Sequence, residues 1–351
     1  MARIIKLTDR QIGRNSPVLI IAEISANHGQ SFKRAIELIK EAKKCGADAV
    51  KFQMYTADTL TINSNTPGFK IRHPHWGGKT LYEFYKKANA PWAWFKKLKD
   101  ACDDLGIMFF STAFDKTAID FLEELDVPLH KIASFELIDL PLIEYAAKTK
   151  KPLILSTGMA TINEIGEAIR CAKNSGVKDI ILLKCTSAYP ARPQDMNLRT
   201  LAHMKRIFKL PVGLSDHSLG IEIPIAAVAL GAEIIEKHFT LSRGLRTADN
   251  FFSLEPGEFK CMAQAIRNIE KSLGKVKYGP AGDEKKSLIF RRSLYAVKEI
   301  KKGELFSEEN IRSIRPAYGL KPKCLPLLLR SRAKRSIRKG EPLRWALVDK
   351  K

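Results

Sequence analysis

VLIIAEISANHGQSFKRAIELIKEAKKCGADAVKFQ, residues 18–53, carries the decisive pattern. A β-branched run (18–23) leads into FKRAIELIKEAKKCG, whose Ala35, Ile36, Ile39 and Ala42 recur at helical spacing, and a second run (49–53) follows. The alternation repeats at 107–112 (IMFFST), 129–134 (LHKIAS), 152–156 (PLILS), 180–184 (IILLK), 211–214 (PVGL) and 233–238 (EIIEKH). Eight strand runs, most separated by a helix, predict an α/β fold of the (β/α)8 TIM-barrel type. A doubly wound open sheet is the rival, but no GxGxxG follows any strand. One connection, residues 54–90, is long and carries HPHWGGKTLYEFY, which reads as a functional loop over the barrel mouth.

Beyond Gly274 the text changes. The expected division is a barrel over 1–275, a Gly- and Lys-rich linker over 276–290, and a small β-rich domain over 291–351. In that last segment KKGE and RKGE read as turns in which Gly303 and Gly340 adopt positive φ. At its length the segment is expected to hold little core of its own and to dock on a larger body.

The chain has 351 residues, 45% hydrophobic and 28% charged, which excludes intrinsic disorder. No apolar run approaches the ~18 residues of a membrane span. The start, MARIIKLTDRQIG, lacks the apolar stretch and cleavage site of a signal peptide, and the six cysteines have neither zinc-ligand nor CxxC spacing. The reading is a cytoplasmic protein with six reduced thiols. Lys and Arg number 60 against 38 acidic residues, a net charge of +22, which suits nucleic acid or an anionic small molecule. The basic residues are spread along the chain, and RSRAKRSIRKG (330–340) has no interleaved aromatic. A solvated basic surface is therefore the better reading, with no nucleic-acid partner.

Barrel enzymes build their sites at the carboxyl ends of the strands, and here nearly every strand ends in polar residues. They are Glu23; Lys51 and Gln53 on one face; Ser111 and Thr112; Lys131 with Ser134 and Glu136; Ser156; Lys184; Ser215, Asp216 and His217; and Glu236 and His238. Three lysines (Lys51, Lys131, Lys184) with hydroxyls at one mouth suit a phosphate-bearing anion. His217 and His238, each near a carboxylate (Asp216, Glu236), admit two readings: satisfied polar residues, or ligands of a divalent metal with open positions.

IIAEISANHG, GADAVKFQ, KIASFE, LSTGMA, LLKCTSAYP, GLSDHS, GAEIIEKHF and FSLEP, in that order and followed by RSLYAVKEIKKGE, resemble the sialic acid synthases. These are phosphoenolpyruvate-condensing barrels with a C-terminal antifreeze-like (SAF) domain. WGGKTLYEFYKKANAPWAWF, LLKCTSAYP and RSIRPAYGLKPK are most similar to the pseudaminic branch. That branch condenses phosphoenolpyruvate with 2,4-diacetamido-2,4,6-trideoxy-L-altrose and releases phosphate; the legionaminic and N-acetylneuraminic branches share most of the barrel.

The resemblance implies that Lys51, Thr112, Lys131, Ser134, Ser156, Ser187 and Ser215 hold phosphoenolpyruvate, with Tyr189 nearby. It implies Mn2+ or Mg2+ on His217 and His238, Glu23 beside the reacting carbons, and Gln53 in the same pocket. Glu136, Glu236 and Asp249 would meet the sugar or metal-bound water. Arg315 would reach an acetamido group from the SAF domain of a partner chain in a domain-swapped homodimer. Two departures stand out. Thr247-Ala248-Asp249 lacks the proline that many relatives have before the aspartate, and Ser187 replaces an asparagine of the sialic acid synthases. A class I aldolase using a Schiff-base lysine is the mechanistic rival, but it has no use for paired histidines.

Overall fold

The computed structural model describes residues 4–7, 10–13 and 16–349. The chain divides into two compact units, Met1–Gly274 and Lys275–Lys351.

In the first unit, β1 (Ile5–Leu7) and β2 (Arg10–Ile12) form an antiparallel hairpin that the sequence pattern did not reveal. Eight parallel strands follow: β3 (Leu19–Glu23), β4 (Ala49–Met54), β5 (Met108–Ala113), β6 (His130–Ile132), β7 (Leu153–Ser156), β8 (Ile180–Cys185), β9 (Val212–Asp216) and β10 (Ile234–His238). They close into a barrel, with β10 paired to β3. All eight expected strands are present.

Strand side chains alternate, so each strand supplies two faces. Leu19, Ile21, Ala49, Phe110, Leu129, Ile154, Ile181, Leu183 and Ile234 pack inside the barrel, together with Ile5, Leu7 and Ile12 of the hairpin. The other parity, including Ile20, Val50, Phe52, Phe109, Leu155 and Leu182, packs outward with the helices. The helix Phe32–Lys44 shows why that outer layer forms. Ser31 caps it by accepting from the Arg34 N–H, Ala35, Ile39 and Ala42 are buried, and Lys43 and Lys44 sit at its negative end. Gly213 lies where neighbouring strands crowd together. A Cβ there would sit 2.5 Å from the Ile234 carbonyl and 2.7 Å from Leu183 Cδ2.

In the second unit, β11 (Ser293–Ala296) pairs antiparallel with β12 (Ile311–Ile314), and β13 (Arg332–Ala333) with β14 (Val348–Asp349). Gly303 and Gly340 have φ of 80° and 83°, as the two KGE turns require. The expectation of little core is corrected. Leu294, Ile300, Phe306, Ile311, Leu328, Ile337, Leu343 and Leu347 form a buried cluster of their own. Short strands and turns supply these apolar residues from along the whole unit. No helix among the described residues is long and apolar enough to cross a membrane.

Candidate active site

The inward parity that buries Ile21, Phe110 and Ile154 lower in the barrel delivers polar groups at the strands' carboxyl ends. Glu23, Lys51, Gln53, Thr112, Lys131, Ser156, Cys185, Ser215, Glu236 and His238 all line one cavity of about 310 Å³. Ser134, Glu136, Tyr189, His217 and Asp249 join it from the loops beyond.

Its floor is a charge network. Lys51 Nζ lies 2.6 Å from Glu23 Oε2 and 3.5 Å from Glu236 Oε1, and donates to Thr112 Oγ1 at 3.0 Å. Lys131 Nζ donates to both Glu236 oxygens at 3.3 Å, and Ser215 Oγ donates to Oε1 at 3.1 Å. Gln53 Nε2 donates to Glu23 Oε1 at 3.0 Å. Burial acts to raise the Glu236 carboxyl, but Lys131 and Lys51 outweigh it and bring the pKa down to about 2. Burial pushes Glu23 the other way, up to about 7, against the pull of Lys51 and with help from the Glu236 charge. Lys51 stays above its ordinary value because Glu23 and Glu236 outweigh its burial, whereas burial leaves Lys131 lowered. The result is two buried ammonium groups that share Glu236, with Glu23 also on Lys51, an arrangement ready for an incoming anion.

The imidazoles of His217 and His238 lie side by side, their ring centroids 5.2 Å apart. His217 Nδ1 is 3.0 Å from the Thr186 carbonyl, which fixes the ring as a donor there and leaves Nε2 with a lone pair. Burial, reinforced by neighbouring positive charge such as that of Lys51, holds His238 well below its usual value, and its buried Nδ1 has no hydrogen-bond partner. Two adjacent imidazoles, one with an orphaned nitrogen, fit a divalent metal whose other positions stay open. Among the described residues no group of three or more His, Cys, Asp or Glu forms a closed cage.

Above this charged floor the wall is aromatic. Tyr55, Trp76, Phe84 and Tyr85, all from the long 54–90 connection, line the cavity with Phe114 and Phe135. Trp76 Nε1 donates to the Ala248 carbonyl at 2.7 Å, tying this connection to the segment after β10. On the same side Asp249 accepts from Ser25 Oγ at 2.5 Å, and burial raises its carboxyl. Glu136 is pushed up to about 7 by burial, and its Oε2 has no partner. The sequence flagged the connection but not its individual aromatics; the WGGKTLYEF run was the available signal.

Two readings from the sequence are corrected. Lys184 does not face the mouth: strand β8 runs one residue further, to Cys185, whose parity is inward, so Lys184 points out into a separate cavity. Asp216 makes its ion pair not with an imidazole but on the outward face, with Lys237 Nζ at 2.5 Å. Ser187 lines the cavity of Lys184, and its hydroxyl flanks Gly158 beside that of Ser134. Arg315 lies in the second unit, just past β12.

Residues 38–278 match the model of the NeuB family, and residues 291–349 that of the SAF domain. The chain belongs to the NeuB family. It is 46% identical over 337 residues to the pseudaminic acid synthase of Campylobacter jejuni subsp. jejuni, across 95% of this chain and 98% of that protein. It is 37% identical to the N,N'-diacetyllegionaminic acid synthase of Legionella pneumophila, across 96% of each. Among solved NeuB-type structures, the N-acetylneuraminic acid synthetase of Leptospira borgpetersenii, in complex with citrate, superposes with a TM-score of 0.74. That match is 36% identical and covers 82% of this chain and 96% of the other.

Proposed function

We propose that this NeuB-family barrel condenses phosphoenolpyruvate with 2,4-diacetamido-2,4,6-trideoxy-L-altrose and water to give pseudaminic acid and phosphate. The observation that carries the reading is the pairing of Lys51 and Lys131 on Glu236 beneath an aromatic wall. The ammoniums suit the phosphate and carboxylate of phosphoenolpyruvate, and the wall suits a sugar bearing one C-methyl and two acetamido groups. Ser134, Ser156, Ser187, Ser215 and Thr112 supply directed hydroxyls, and the buried, unpartnered Ser156 Oγ has a bond to give.

In the reaction, C3 of the enol phosphate bonds to the sugar's aldehyde carbon, whose oxygen takes up a proton. Water adds at C2, and the tetrahedral adduct expels phosphate by C–O cleavage as its hydroxyl proton leaves. A divalent metal on His217 and His238, Mn2+ or Mg2+, supplies Lewis-acid polarisation when bound. Glu23 faces the positive charge that develops at C2, held in place by Lys51 and Gln53. Glu136 and Asp249 are assigned to the sugar's polar groups. We assign the barrel to residues 1–275, a linker to 276–290 and the SAF domain to 291–351. The protein is read as a cytoplasmic homodimer, in which Arg315 of each SAF domain serves an acetamido group at the partner's barrel.

The test is phosphate release from phosphoenolpyruvate with the altrose, legionaminic-type and N-acetylmannosamine sugars, with and without Mn2+. Turnover on the altrose sugar alone is expected. Preference for another sugar moves the protein to that branch, and a borohydride-trapped pyruvate adduct without metal dependence replaces the reading with a Schiff-base aldolase.

A further inference from the structure

Four lysines are buried among the described residues: Lys51, Lys131, Lys184 and Lys237. Three have acidic partners, Lys51 and Lys131 on Glu236 and Lys237 on Asp216. Lys184 is 7% exposed and has none; its Nζ meets only the Thr186 hydroxyl, at 2.5 Å. A buried ammonium without a counter-charge is costly, and the chain spends an acidic residue on every other one. The missing partner has room to bind. Lys184 lines a cavity of about 640 Å³ with Thr157, Asn197, Thr200 and His203. The one carboxylate lining it, Asp195, is held by Arg192 at 2.8 Å. Burial pulls the Lys184 ammonium below its usual value, with only partial relief from Cys185 and Asp216.

This cavity also adjoins the catalytic one. Cys185 lines both, and Ser187, on the Lys184 side, brings its hydroxyl to Gly158 beside that of Ser134. Cys185 Sγ and Ser187 Oγ lie 3.8 Å apart where the two linings meet.

We propose that Lys184 and its cavity form a second oxyanion site, which takes the inorganic phosphate released in the catalytic cavity through the Cys185–Ser187 wall. The source of the anion rests on the synthase reading; the site itself does not. Lys184 supplies the charge, while Thr157, Thr200 and Asn197 offer neutral donors. A tetrahedral anion there is out of contact with Lys51 and Lys131, so the next phosphoenolpyruvate binds before the earlier phosphate has left.

The experiment titrates inorganic phosphate calorimetrically into the full-length protein, alone and saturated with phosphoenolpyruvate. Wild type is expected to bind phosphate in both states. Lys184→Met should lose at least tenfold in affinity for the phosphate bound beside phosphoenolpyruvate, and Lys184→Arg should keep it. Product inhibition by phosphate against phosphoenolpyruvate should be mixed in wild type and purely competitive in Lys184→Met. Phosphate wholly displaced by phosphoenolpyruvate in wild type overturns the proposal without need of any variant, as does inhibition that is competitive in both proteins. A protein that binds phosphate at Lys184 but turns over no phosphoenolpyruvate retains the site and loses the synthase reading instead.

Discussion

Glu23 and Lys51 stand opposite each other on adjacent parallel strands, with Lys51 Nζ 2.6 Å from Glu23 Oε2. The same lysine touches Glu236, which in turn holds Lys131. Removing either lysine leaves a buried carboxylate short of cation and deprives an anionic substrate of its partner. Lys51→Ala and Lys131→Ala should each weaken phosphoenolpyruvate binding by about 2–5 kcal/mol, the range for breaking a desolvated charge pair. Calorimetric titration with phosphoenolpyruvate reads this directly, and unchanged affinity in both variants would remove the anion-cradle assignment.

His217→Ala and His238→Ala should abolish turnover while leaving the far-UV circular dichroism unchanged. Both rings lie at the mouth beyond the packed interior, so truncation opens no cavity in the apolar layers. Mn2+ titration followed by electron paramagnetic resonance should show binding lost in each. Normal turnover of His238→Ala in chelator would end the metal assignment.

Glu136 sets a pH dependence of stability. Its carboxyl is raised by burial from 4.5 to about 7, so the folded state favours the protonated form. The stability it allows is fully present below pH 4.5 and is lost as the pH rises through about 7. Glu136→Gln should therefore match wild type at low pH and exceed it by about 1–3 kcal/mol at pH 8, the upper end discounted because the residue is only half-buried. Calorimetric melting of the barrel at the two pH values checks the sign; a variant less stable at pH 8 contradicts it.

Gly213→Ala should destabilise the barrel, since its Cβ would lie 2.5 Å from the Ile234 carbonyl and 2.6 Å from Ile234 Cβ. Overpacking between fixed strands costs about 1–3 kcal/mol. A thermal melt with an unaltered midpoint would show that the strands part without cost.

The shared-site dimer is tested by complementation. Arg315→Ala and His238→Ala chains are mixed under conditions that exchange subunits. If the arginine acts across the dimer, mixed dimers regain activity at one of their two barrels. No regain, with exchange demonstrated and both parents inactive, would mean that Arg315 acts in its own chain or not at all.

The eight strands, the barrel and most of the mouth were legible because strand–helix alternation and polar strand ends are local patterns. Lys51 with Gln53, and Glu236 with His238, share a face whatever the rest of the fold does, since strand parity is two. The parity of β8 was not legible. IILLK is apolar on both faces, as buried parallel strands are, so nothing local says whether Lys184 or Cys185 points inward. That was decided by where β8 pairs with β7 and β9, placing Ile181 and Leu183 inside the barrel and Lys184 outside. The pairing of Asp216 with Lys237, the aromatic wall over the mouth and the hairpin beneath the barrel have the same origin. Sequence alone fixed which residues carry charge and how each strand alternates; only closure of the barrel determined which charges meet, because ion pairing and burial depend on distances between segments that are far apart along the chain.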